Sequence, residues 1–209
     1  MNKEEKIDFL KNEFNFVLND ETFNKLDSWQ EFFIEYNSTT NLMSKNDIGV
    51  LFEKHVIDSL AVLKWEGFKN KKTILDVGTG GGFPSVILAI CFPEKTVIAN
   101  DSRIKKINFI KEIKQKLNLD NLKIIYSRIE ETEPLNADLI VSRAVGKMTE
   151  VFELSKKHLN RNGNFLIYKA KTVQEEISDF KKKYPSFECN VIEYKLPLEE
   201  NFERNLVIV

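Results

Sequence analysis

Cysteine and histidine are almost missing from this 209-residue chain: Cys91, Cys189, His55 and His158 are the full complement. The cysteines sit apart in apolar contexts and the histidines are equally isolated. Neither a disulfide scaffold nor a zinc site is expected, and the chain is read as holding no metal. Long apolar runs are lacking too. No stretch reaches the roughly 20 residues of a membrane span, and the charged start Met1-Asn2-Lys3-Glu4-Glu5-Lys6 leads into no apolar region. The expectation is a soluble, cytoplasmic protein without a membrane partner. Nor does either charge dominate: 31 Lys and Arg against 32 Asp and Glu leave a formal net charge of -1. No global field draws such a chain to nucleic acid, so any RNA contact has to come from local basic patches. Glycines number only 8, yet four of them fall between Gly78 and Gly82. Core material, by contrast, is plentiful, with 42% hydrophobic residues and 16 Phe.

The glycine stretch Asp76-Val77-Gly78-Thr79-Gly80-Gly81-Gly82-Phe83-Pro84 follows the apolar, partly β-branched run Thr73-Ile74-Leu75 and precedes the helical run Ser85–Cys91. A strand that ends in glycines and turns into a helix is how α/β proteins hold nucleotide-like ligands. Downstream, strand-like runs at 96–100, 122–126, 137–141 and 164–168 alternate with helix-like runs at 102–117, 149–159 and 173–184. This alternation predicts an α/β, Rossmann-like, mostly parallel sheet. Two last β-rich runs, 187–194 and 206–209, predict an antiparallel hairpin added at the C-terminus.

Residues 1–70 read as a helical extension packed on a core domain at 71–209. Ile7, Leu10, Phe14 and Val17 mark one buried stripe. Asp20 is placed as the cap of a second helix that gathers Phe23, Leu26, Phe33 and Ile34 on one side. Tyr36 to Ser44 reads as a loop. A third helix is expected from Asp47 or Ile48, burying Leu51, Phe52, Val56, Leu60 and Leu63. It carries His55 and Asp58, which share a face at i and i+3. That pair is either solvated or internally paired, or it lies near the active site.

The pattern Asp-x-Gly-x-Gly-x-Gly departs from the dinucleotide fingerprint, because Phe83 stands where the third glycine belongs. An acid ahead of the glycines repels a pyrophosphate but suits a cation, and S-adenosyl-L-methionine carries an ammonium and a sulfonium. Asp101, at the end of the next strand, stands where a carboxylate grips a ribose diol. Together these features point to a class I S-adenosylmethionine-dependent methyltransferase rather than an NAD-dependent oxidoreductase. The third and fourth strands end in Ser127-Arg128-Ile129-Glu130-Glu131 and Ser142-Arg143-Ala144-Val145. The first can cover an adenine; Arg143 can pair with the cofactor carboxylate or with a substrate phosphate. Asn-Pro-Pro-Tyr, expected of an amino-directed enzyme, is not found after the fourth strand.

The chain resembles the bacterial 16S ribosomal RNA guanine-N7 methyltransferase family of the glucose-inhibited division protein B type. The likeness rests on Tyr36-Asn37, Asn41-Leu42, His55-Val56-Ile57-Asp58-Ser59-Leu60, the glycine stretch through Pro84, Asp101-Ser102, Ser127-Arg128-Ile129-Glu130 and Ser142-Arg143-Ala144, and it runs from about residue 20 to the end. It implies cofactor contacts at Gly78, Phe83, Ile129, Glu130 and Arg143, with Asp101 in the ribose position; Asp76 and Gly80 complete the expected set. It also implies a base in 16S rRNA of the small ribosomal subunit as substrate; the protein is expected to be a monomer. Guanine N7 offers an in-plane lone pair and carries no proton, so in-line transfer needs no general base. No catalytic residue is assigned beyond Arg143 as a positioning candidate, with Phe83 and Arg143 candidates for stacking on the target base. A different RNA substrate, or a non-catalytic rRNA-binding assembly factor that keeps the pocket, are the alternatives. Lys69, Lys71 and Lys72, the cluster Arg103, Lys105, Lys106, Lys111, Lys114 and Lys116, and Lys181–Lys183 are candidate RNA-facing patches.

Overall fold

In the computed structural model, which describes residues 1–170, 173–198 and 202–209, the β-branched runs after Lys72 form one seven-stranded sheet. Its strands are β1 (Thr73–Val77), β2 (Thr96–Asp101), β3 (Leu122–Tyr126), β4 (Ala137–Arg143), β5 (Leu159–Lys169), β6 (Asn190–Lys195) and β7 (Glu203–Ile208), in the order β3-β2-β1-β4-β5-β7-β6. The first five strands pair in parallel, and β7 runs antiparallel to both β5 and β6. This is the expected mostly parallel sheet with its antiparallel C-terminal hairpin. Part of the connection within that hairpin, residues 199–201, lies outside the described residues. Chain order reverses between β1 and β4, which opens a crevice beyond their carboxyl ends.

Eight α-helices are described: α1 (Lys3–Phe14), α2 (Asp20–Thr40), α3 (Lys45–Ile48), α4 (Ile57–Leu60), α5 (Ser85–Cys91), α6 (Ile104–Leu117), α7 (Met148–Ser155) and α8 (Gln174–Lys183). Strand alternation divides the core between the sheet faces. Ile74, Val97, Leu139, Val141 and Leu166 face a cluster that also takes in α5, α6 and the buried residues of α1, α2 and α4. Leu75, Ile98, Ile140, Phe165 and Ile167 face the other cluster, completed by Met148 and Phe152 of α7 and Phe180 of α8. Among the described residues no helix is long and apolar enough to cross a membrane.

Several expectations for the first seventy residues need correction. The α1 stripe ends at Phe14, because Asn15 takes a left-handed conformation (φ 50°) and closes the helix; Val17 is then 73% exposed. The side chain that caps α2 belongs to Asn19, which accepts from Thr22 N at 2.8 Å, while Asp20 is already the first helical residue. Trp29, absent from the expected stripe, is wholly buried, and Ile34 faces outward. Most of the expected loop at 36–44 is helical, since α2 runs on to Thr40 before Asn41 (φ 53°) stops it. The single third helix is broken instead into α3, a π-helical stretch Leu51–Val56, α4 and the 3₁₀ turn Ala61–Lys64. Gly49 caps α3, and Leu63 is only partly buried. Toward the C-terminus, α7 stops at Ser155 and Leu159 begins β5, while β6 starts at Asn190 because Phe187 instead packs against Phe152.

Candidate functional site

A cleft of about 580 Å³ lies at the crevice, within the range of small-molecule sites. Its floor is the glycine turn. Gly78 (φ 71°) and Gly80 (φ 57°) take the left-handed backbone that a side chain disfavours. A Cβ on Gly78 would meet Val145 at 2.4 Å, so the two strand ends close on each other there. The turn is fixed at several points: Thr79 N donates to Asn100 O at 2.9 Å, and Gly80 N donates to Asp101 Oδ2 at 2.9 Å.

Of the eight residues expected to meet a cofactor, Gly78, Gly80, Phe83, Asp101, Ile129, Glu130 and Arg143 line the cleft; Asp76 does not. Asp76 is fully buried behind the turn, where its Oδ2 accepts from Ser85 N at 3.1 Å, and Oδ1 has no hydrogen-bond partner. Burial pushes its carboxyl up to about 6, against the pull of the Thr79 and Ser85 donors. Asp101 behaves oppositely. Burial would raise its pKa, yet the Arg103 side chain and the amides of Arg103 and Gly80 together hold it below the usual carboxylate range. Arg103 Nε and Nη2 approach its two oxygens at 3.0 and 3.1 Å. A ribose diol at this carboxylate would therefore share it with, or displace, a guanidinium that is 64% exposed.

Arg143 reaches the cleft from the end of β4. Nη1 donates to Asp58 Oδ2 at 2.9 Å, Nη2 donates to His55 Nδ1 at 3.0 Å, and the guanidinium carbon lies 4.8 Å from the Phe83 ring centroid. Burial, and then the charge of Arg143, lower the His55 pKa to about 3, so the ring is neutral and accepts at Nδ1. Of the two readings left open for His55 and Asp58, both hold in part: the residues are internally paired, and their partner lines the cleft. Phe83 is itself packed edge-on against Trp29, 5.6 Å between centroids, which leaves it as a cleft wall rather than a free stacking surface.

Several residues without an expected role in the site also shape the cleft. Leu42, Met43, Ser44 and Asp47 form one wall. The Asn37 side chain holds that wall by accepting from Met43 N at 2.7 Å and donating to Met43 O at 3.1 Å, and Lys106 Nζ donates to Leu42 O at 2.6 Å. Asn100 donates to Ile125 O and Ser127 O, joining the ends of β2 and β3. Buried His158 donates from Nε2 to Ile129 O at 2.9 Å, and Lys157 Nζ donates to Glu130 O at 2.7 Å. Asn37, Leu42 and Lys106 lay in stretches already singled out, though for other reasons; nothing in the pattern marked His158 or Asn100.

Residues 22–207 match the family model described as GidB, rRNA small subunit methyltransferase G. A protein named ribosomal RNA small subunit methyltransferase G from Mycoplasma capricolum is 37% identical over 171 residues, 81% of this chain and 74% of the relative. One of the same name from Lachnoclostridium phytofermentans is 32% identical over 203 residues, 92% of this chain and 82% of its own length. Among solved structures, an O-methyltransferase from Bacillus cereus in complex with SAH superposes with a TM-score of 0.63 at 14% identity, covering 97% of this chain and 96% of that one. A SAM-dependent methyltransferase from Aquifex aeolicus gives 0.58 at 21% identity, covering 78% and 94%. These two likenesses speak to the fold alone.

Proposed function

Because the chain belongs to the rRNA small subunit methyltransferase G family, we propose that it methylates N7 of a guanine in 16S rRNA, using S-adenosyl-L-methionine. The carrying observation is that seven expected cofactor residues from four separate strand ends line one cleft. The cleft's own features suit that cofactor. Gly78 lets the turn close tightly under the cleft, where a Cβ would strike Val145, and Asp76 keeps an unpartnered buried oxygen behind the turn. A cationic ligand in the cleft would favour the ionised form of that carboxyl.

When bound, the cofactor supplies a sulfonium methyl group for transfer. Asp101 and the Gly80 amide would orient the ribose, Ile129 and the Glu130 backbone would flank the adenine, and Arg143 would hold the amino-acid carboxylate. Guanine N7 has no proton to lose, so these residues need only align and exclude water; none is asked to serve as base. The exposed cations near the cleft, Arg128 and Lys105 among them, supply phosphate contacts on a chain of formal net charge -1. The protein acts as a soluble cytoplasmic monomer, with residues 1–70 as an extension that walls the cleft.

The test is to mix the purified protein with methyl-labelled S-adenosylmethionine and ribosomal subunits from a strain lacking it. Label in the small-subunit RNA is expected. Label confined to another RNA would replace the substrate assignment, and cofactor binding without any label would favour an assembly factor.

A further inference from the structure

A buried polar cluster stands directly behind the Arg143 wall of the cleft, centred on Asp58, which is 1% exposed. One oxygen, Oδ2, accepts from Arg143 at 2.9 Å. The other, Oδ1, accepts from the Tyr194 hydroxyl of β6 at 2.5 Å, with Arg204 Nε 3.8 Å away. Next to it, the Tyr168 hydroxyl donates to Ser59 O at 2.9 Å, and Ser59 Oγ donates to His55 O at 2.7 Å. Four strands distant from it in sequence, β4, β5, β6 and β7, thus converge on the short helical turn α4.

A buried ion pair adds little net stability over apolar residues of the same shape. What it does fix is geometry. The guanidinium of Arg143 is held at one nitrogen by Asp58, at another by His55, and on its face by Phe83. Those bonds use two of the five N–H donors that an arginine carries. An arginine clamped along its inner edge presents its remaining donors in one orientation, which a planar carboxylate partner requires.

We infer that Asp58 is a positioning residue. Braced by Tyr194, it sets the orientation in which Arg143 meets the carboxylate of the cofactor's amino-acid part, and so couples the C-terminal hairpin to cofactor recognition. The inference rests on the Arg143 assignment made above.

Two probes separate positioning from bulk structure. S-adenosylhomocysteine carries the amino-acid carboxylate; 5′-methylthioadenosine lacks it. Titration calorimetry on the full chain should show Arg143→Gln and Asp58→Asn each weakening S-adenosylhomocysteine by about tenfold or more, as expected for a lost charge-assisted pair. Binding of methylthioadenosine should stay within about twofold, and the double variant should bind no worse than Arg143→Gln alone. If Asp58→Asn does not fold, Tyr194→Phe, which removes one hydroxyl, should still give a selective few-fold loss for S-adenosylhomocysteine. Asp58→Asn or Tyr194→Phe weakening both probes equally, or losses that simply add in the double variant, would overturn the inference while leaving Arg143 in place. Unchanged affinity in Arg143→Gln would remove the underlying assignment together with the inference.

Discussion

Gly78 and Val145 meet across the floor of the cleft: a Cβ built on Gly78 would lie 2.4 Å from Cγ2 of Val145. Gly78 also has φ 71°, a conformation costly for any residue with a side chain. Gly78→Ala is therefore expected to cost roughly 1–3 kcal/mol of stability from the backbone alone, and to weaken S-adenosylhomocysteine binding. Val145→Ala in the same chain removes the clash but leaves the φ strain. It should restore part of the melting temperature lost and not all of it; full recovery would show that crowding alone was at fault.

Asp76 is expected to make cofactor binding depend on pH. Its carboxyl is pushed up to about 6 in the folded chain from an ordinary 3.8. Between those values the folded state holds a proton that the unfolded state has lost, so the contribution of Asp76 to stability falls as pH rises through that window. A cationic ligand favours the ionised form. Affinity for S-adenosylmethionine should rise from pH 5 to pH 7, and Asp76→Asn should flatten that rise in a calorimetric series. His55 acts with the opposite sign. Lowered from 6.5 to about 3, it contributes stability that is lost as pH falls through that interval, and His55→Gln should reduce sensitivity to acid.

Trp29 and Phe33 of α2 pack on Phe83 with centroid separations of 5.6 and 5.5 Å, and both are fully buried. Truncating Trp29→Ala should cost on the order of 3–5 kcal/mol. It should also weaken cofactor binding, because Phe83 loses its backing. Denaturation monitored by far-ultraviolet circular dichroism checks the first expectation and calorimetry the second.

The basic helix α6 is not uniform. Lys105 and Lys111 are exposed, whereas Lys106 holds Leu42 O in the cleft wall and Lys114 donates to Leu122 O. Lys105→Glu with Lys111→Glu should weaken rRNA binding and lower its salt dependence, with cofactor affinity intact. Lys106→Glu should impair both. Filter binding at several salt concentrations distinguishes these outcomes.

Strands and the glycine turn were legible because their signals are local. Leu122–Tyr126 and Ser85–Cys91 have the bounds that periodicity predicts. The first seventy residues were less legible, because their helices are decided by packing and by asparagine caps: Asn15 and Asn41 stop helices that polarity alone would place differently. The spacing of His55 and Asp58 showed a shared face but not Arg143, 85 residues from Asp58, which gives that face its meaning. His158 left no trace, since its bond to Ile129 O depends on where α7 delivers the chain.

The central claim is methyl transfer to N7 of a guanine in small-subunit rRNA, and N7 methylation has a chemical signature. Borohydride reduction followed by aniline cleaves RNA at a 7-methylguanosine, so 16S rRNA from subunits incubated with the protein and S-adenosylmethionine can be mapped by primer extension. One new cleavage at a single guanine is expected, dependent on both protein and cofactor and strongly reduced with Arg143→Gln. Methyl label incorporated without any borohydride-dependent cleavage would contradict it.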